Sequence, residues 1–272
     1  MRRETFATAT PPALEIRNAA GAVEVETIDS DETVVVLEPL RGEGSRRAVE
    51  DAVVEQHGDR IVVDIEGRSF FGVTISVNRD VRVAITTPHG AAVDAKTASA
   101  DVGIRGRVRN IDVQTASGDV AVGDVDGDAR VKTANGDVAV DAIAGGAELQ
   151  SASGDLGVHS LGGDARVRTA SGDVRVGEAA ASLTVQTASG DVRLDSVRAG
   201  RVDVKTASGD IWVGIRRGSR AWLDARSLSG DAESQLAVGD ALEDEDGPLV
   251  ELTALSMSGD VQIARAPEHI ER

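Results

Sequence analysis

Nine aspartates hold the same place in a recurring Thr-Ala-Ser-Gly-Asp-Val frame: Asp101, Asp119, Asp137, Asp155, Asp173 and Asp191 at steps of 18, then Asp210, Asp231 and Asp260 as the steps lengthen to 19, 21 and 29. Carboxylate and turn carbonyl oxygens are suitable ligands for divalent cations, so a periodic column of aspartates raises a metal-binding reading. The calcium-binding β-roll is the precedent, with half-coils of about nine residues. Its Gly-Gly-x-Gly-x-Asp motif is absent here, where a single glycine stands before the Asp, usually after serine. Two readings of Asp101, Asp119, Asp137, Asp155, Asp173, Asp191 and Asp210 follow. Either the column binds cations, or each carboxylate accepts backbone N–H bonds inside its own turn while flanking Arg and Lys supply positive charge. Compensation is needed in both, because carboxylates about 4.8 Å apart repel by about 0.9 kcal/mol even in water.

Other chemistries find less support. His57, His89, His159 and His269 lack metal-ligand spacing, and no nucleophile elbow or phosphate loop occurs. With no cysteine, disulfides and thiolate metal sites are excluded. Parallel β-helix enzymes acting on acidic polysaccharides interrupt their repeats to build a site, whereas these aspartates are the repeat. Aromatic residues make up only 2% of the chain, which argues against sugar-stacking platforms. No catalytic residue and no cofactor are expected.

The elements that must position the column follow from a finer period. Gly118-Asp119-Val120 is followed nine residues on by Gly127-Asp128-Ala129 and then by Gly136-Asp137-Val138, so an 18-residue coil holds two turns and two short strands. Alternation in Val120-x-Val122, Val138-x-Val140 and Leu156-x-Val158 points one face inward. Val125, Ile143, Leu161 and Val197 fill a corner of the coil. Outward positions distinguish stacked coils from consecutive hairpins. Lys96, Gln114, Lys132, Gln150, Arg168, Gln186 and Lys205 alternate cation with amide, which in a parallel stack separates like charges by about 9.6 Å, near a Debye length. The neighbouring site reads Asp94, Asp112, Arg130, Glu148, Arg166, Thr184, Asp203, with opposite charges adjacent in its middle. An antiparallel meander leaves this 18-residue alternation unexplained.

The expected fold is all-β: a single-domain parallel β-solenoid over 1–272, with degenerate N-terminal coils in 1–90, regular repeats in 91–214, and irregular coils with an acidic loop in 215–272. One short helix is expected near residues 45–57, with Ser45 as N-cap and Ala48, Val49, Ala52 and Val53 on its apolar face, covering a coil edge or inserted between strands. Phe70 and Phe71 are expected to pack under it. Trp212 and Trp222 are expected to pack in the wall or cap of the irregular coils.

A formal charge of -17 argues against nucleic acid and anionic membranes as partners. No stretch approaches the roughly 18 apolar residues of a membrane span, and Met1 to Pro12 lacks the apolar core of a secretory signal. The expectation is a cytoplasmic protein with no direct membrane insertion.

Leu14-Glu-Ile-Arg-Asn-Ala-Ala-Gly-Ala-Val23, the string of Ala-Ser-Gly-Asp motifs and the late copy Ser256-Met-Ser-Gly-Asp-Val261 resemble the bacterial putative-adhesin family of β-strand-repeat proteins, a domain family of unknown function. The resemblance implies a β-solenoid without known catalytic residues, sometimes attached to membrane-stress sensing or surface modules. The expected role is a noncatalytic scaffold or protein-interaction module with an unidentified protein partner. The alternatives are a calcium-responsive β-roll-like module and a self-assembling, bactofilin-like cytoskeletal element.

Overall fold

The computed structural model describes residues 1–65, 79–236 and 247–267. It divides into two compact units, Met1–Val138 and Ala139–Arg272.

In the first unit, parallel pairing joins Asp80–Pro88 to Ala20–Ile28, then Asp101–Val108, then Val120–Val125. The second sheet runs from Arg60–Asp64 through Ala13–Asn18 and Ala92–Thr97 to Ile111–Gln114 and Ala129–Lys132, also in parallel. Coil 13–28 is therefore threaded out of order, between the 60–88 coil and the 92–108 coil. The expected degenerate coils end differently from the regular ones. Glu32–Pro39 pairs antiparallel with both Asp80–Pro88 and Arg2–Ala7, and Val53–His57 pairs antiparallel with Arg60–Asp64.

The second unit repeats the scheme. Leu156–Leu161, Val174–Ala179, Val192–Val197 and Ile211–Ile215 pair in parallel, as do Ala147–Gln150, Ala165–Arg168, Leu183–Gln186 and Gly200–Ser208. Here too a coil is threaded out of order: Leu249–Ser258 and Val261–Arg265 lie between the 200–215 coil and the strands Arg220–Ser227 and Ala232–Ser234. The acidic run from Gly239 falls outside the described residues up to Gly247.

Period-two alternation puts Val120 and Val122 inward in the first unit and Leu156, Val158, Val174 and Val176 inward in the second, all buried. The corner residues Val108, Val125, Ile143, Leu161, Ala179 and Val197 are buried as well. Each large one contributes about 1.5–3 kcal/mol.

The helix spans Gly42–Asp51 instead of residues 45–57. Ser45 is buried inside it, the N-cap is Arg41, and no side chain caps it. Residues Val53–His57 form a strand because that segment pairs with Arg60–Asp64 across the turn at Gly58, and this pairing overrides the helical pattern of Ala52 and Val53. The helix packs on Glu32–Pro39 and Asp80–Pro88 through buried Ala48 and Val49. Phe70 and Phe71 lie outside the described residues. Among the described residues, no helix is long and apolar enough to cross a membrane.

Candidate functional site

The aspartate column forms a ladder whose rungs are backbone amides. In the first unit Asp119 N–H donates to Asp101 Oδ1 at 3.1 Å, and Asp137 N–H to Asp119 Oδ1 at 3.0 Å. In the second unit Asp173 N–H donates to Asp155 Oδ1 at 2.8 Å, Asp191 N–H to Asp173 at 2.9 Å and Asp210 N–H to Asp191 at 2.8 Å. Threading reorders the last rungs: Asp260 N–H donates to Asp210 Oδ1 at 2.8 Å, and Asp231 N–H to Asp260 Oδ1 at 2.9 Å. These bonds come from the next coil, where the turn reading expected each carboxylate to accept inside its own turn. A parallel stack sets the next amide one strand spacing away, where a charge-assisted bond offsets part of the carboxylate repulsion. Among the described residues, no three His, Cys, Asp or Glu side chains are grouped to hold a metal ion.

The rest of the motif also serves stacking. A methyl group at Gly172 or Gly190 would overlap the carbonyl of the glycine one coil before it, Gly154 or Gly172. Ser153, Ser171, Ser189 and Ser208 bridge coil to coil. Buried Thr169, Thr187 and Thr206 donate their hydroxyls to the carbonyls of Ser171, Ser189 and Ser208. Turn formation alone does not demand glycine so strictly; close approach of successive backbones does.

The outward ladders are in register. Gln114 pairs with Lys96 and Lys132 in the first unit, and Gln150, Arg168, Gln186 and Lys205 succeed one another in the second. Asp112 sits opposite Arg130, and Glu148 opposite Arg166. At the other end of that column Glu15, Asp94 and Asp112 are consecutive. Burial first, then Asp112 and Glu15, push the Asp94 carboxyl above its ordinary range, against Lys96 and Arg17.

A second feature escaped the sequence reading. In the second unit, a groove of about 590 Å³ opens beside the strand ends, lined among others by His159, Glu178, Arg193, Asp195, Arg216 and Arg217. Its signal in the sequence is the residue after each inward pair, which reads His159, Gly177, Asp195, Gly214, so that side chains alternate with gaps. Of the other histidines, His57 Nε2 lies 3.1 Å from Glu55 Oε2 and His89 Nδ1 lies 2.9 Å from Thr27 Oγ1; His269 is outside the described residues. Trp212 is half-buried with the Arg193 guanidinium 4.3 Å from its ring centroid, whereas Trp222 is 58% exposed and does not pack in the wall.

No curated protein matches the chain. Solved structures do. A putative adhesin from Parabacteroides distasonis ATCC 8503 is 12% identical, covering 96% of this chain and 97% of that one, with a TM-score of 0.49. A putative adhesin from Bacteroides fragilis NCTC 9343 is 13% identical over 97% and 96% of the two chains, with a TM-score of 0.43. A putative lipid binding protein from Parabacteroides distasonis ATCC 8503 is 13% identical over 98% and 96%, with a TM-score of 0.41. The sequence model of a domain family of unknown function, Toastrack DUF4097, matches residues 13–264, which include the first threaded coil, all but the last residue of the second, and every rung of the aspartate ladder. This chain therefore belongs to the Toastrack DUF4097 family.

Proposed function

We propose that the chain is a noncatalytic binding module that presents its outward ladders to a protein partner. The observation that carries this is the register of Gln150, Arg168, Gln186 and Lys205 beside Glu148 and Arg166, which fixes charges and amides at strand spacing on a hydrogen-bonded backbone. Such a surface loses little conformational freedom on binding, and its charge pattern selects partners by complementarity. The aspartate ladder supports the same reading, since its carboxylates hold successive coils together.

Quantitative affinity capture from the native organism with two baits, the natural chain and Arg166→Glu/Arg168→Glu, tests this. A partner retained by the first and lost by the second, with both baits equally folded by circular dichroism, is the expected result. Identical capture by both baits, or none above an unrelated β-solenoid, overturns it.

A further inference from the structure

The groove in the second unit stands against the charge of the whole molecule. The chain has 46 acidic and 29 basic residues, yet the groove gathers Arg193, Arg216 and Arg217 against only two carboxylates, Glu178 and Asp195. Asp195 is already matched, its Oδ1 accepting from Arg193 Nε at 2.6 Å. Arg193 in turn lies over Trp212, so ring and carboxylate together hold its guanidinium in place.

Arg216 is placed by backbone alone. Its N–H donates to the Val197 carbonyl at 2.9 Å, and its carbonyl accepts from Arg265 Nη1 at 3.4 Å. Its exposed guanidinium has no hydrogen-bond or ion-pair partner among the described residues, and the same holds for the side chains of Glu178 and His159. The threaded coil completes the wall: Ala266 N–H donates to the Ile215 carbonyl at 2.9 Å, which brings Ala266 and Pro267 to the groove.

Guanidinium groups match carboxylate and phosphate oxygens with paired N–H donors. Glu178 repels a second anion and accepts from a hydroxyl, while His159 and Ser196 add polar contacts along the same wall. We propose that this groove binds a hydroxyl-bearing anion, a sugar acid or a sugar phosphate. The anionic group sits on Arg216, beside Arg217, and the hydroxyls face Glu178 and His159. The volume lies within the range of small-molecule sites. The assignment rests on the chain being a binding module and names a ligand class for a surface other than the ladders.

Titration calorimetry on the full chain at low salt tests it with four probes: digalacturonic acid, glucose 6-phosphate, glucose and inorganic phosphate. Binding is expected for one or both sugar anions, about tenfold or more weakened in Arg216→Ala/Arg217→Ala and suppressed by added salt. Preference for the uronate or for the phosphate ester identifies the anionic group, and either supports the proposal. In Glu178→Gln the natural preference for the sugar anion over inorganic phosphate is expected to shrink. Both variants change side chains at the groove surface, and unchanged melting curves check their folding. Binding of neither sugar anion, equal binding by the double arginine variant, or inorganic phosphate binding as tightly as the sugar anions overturns the proposal. The ladder variant Arg166→Glu/Arg168→Glu keeps sugar-anion binding even where it loses a protein partner, so the two readings fail separately.

Discussion

The first and second units each thread one coil out of sequence order, but they close differently beyond it. In the first, the end is built from antiparallel strands. Leu37 is 1% exposed, a helix lies on Glu32–Pro39, and Thr8, Thr33 and Thr87 share a buried hydroxyl chain with oxygens 3.0 and 2.9 Å apart. Its edge strand carries Arg2, Arg3 and Glu4, charges that discourage pairing with another chain. In the second, the last coil keeps the parallel scheme. Leu223 faces Leu252 in register but is only half-buried, while Trp222 and Leu228 are exposed. Reversing strand direction lets a coil be covered from outside, whereas simply repeating the coil passes the uncovered face one step on.

The strongest break in the comparison is at the threaded coils themselves. Gly21 has φ +111° and Gly259 φ +133°, and a methyl group at either would overlap a neighbouring carbonyl, of Val81 or Gly209. Gly21→Ala and Gly259→Ala are each expected to cost several kcal/mol, seen as loss of a cooperative unfolding transition. Similar losses at both sites would show that the two threadings matter equally. Next come the end coils. Leu37→Ala is expected to cost about 2–5 kcal/mol and Leu223→Ala about 1 kcal/mol by urea denaturation; equal costs would erase the contrast between the closures.

Thr33→Val should cost about 1–3 kcal/mol, because Thr8 and Thr87 lose their shared partner. In the regular coils, the Thr133 hydroxyl is buried with no hydrogen-bond partner among the described residues, so Thr133→Val is expected to be neutral or to gain up to about 1 kcal/mol. Asp260→Ala removes the acceptor for Asp231 N–H and should cost about 0.5–1.5 kcal/mol, with faster amide exchange across residues 220–234. Asp260→Asn, which keeps an oxygen acceptor, should restore protection.

The smallest effect is electrostatic. The Asp94 carboxyl has its pKa raised in the fold, so the folded state holds that proton more tightly than the unfolded chain. Its contribution to stability is fullest below the ordinary carboxylate range and is lost as pH rises through the raised value. Asp94→Asn should therefore raise the melting temperature slightly at pH 7 and hardly at about pH 3, an effect of a few tenths of a kcal/mol because the group is half exposed.

Repetition made much of this legible. Lys96, Gln114 and Lys132, or Gln150, Arg168 and Gln186, sample one environment again and again, so their alternation alone points to parallel stacking. The direction of the aspartate bonds was not legible, since a carboxylate in a turn has amides both in its own turn and one coil away. Threading was hidden because spacing orders repeats along the chain and not in space: Asp260 follows Asp231 in sequence yet precedes it in the ladder. The groove was hidden for the same reason, as Ala266 meets Ile215 only once the coils are reordered. The helix boundary was missed because cross-strand pairing at Val53–His57 outweighed a local apolar pattern.

Threading also sets a timetable. During synthesis residues 220–234 emerge before residues 249–265, yet their seat in the stack is on top of that later coil. Until residues 249–265 leave the ribosome, the strand edges at Gly200–Ser208 and Ile211–Ile215 have no onward partner, and Leu223 has no core to enter. The second unit therefore cannot be completed in the order in which it is made, and a chain stalled before residues 249–265 have emerged would present open strand edges to the cell.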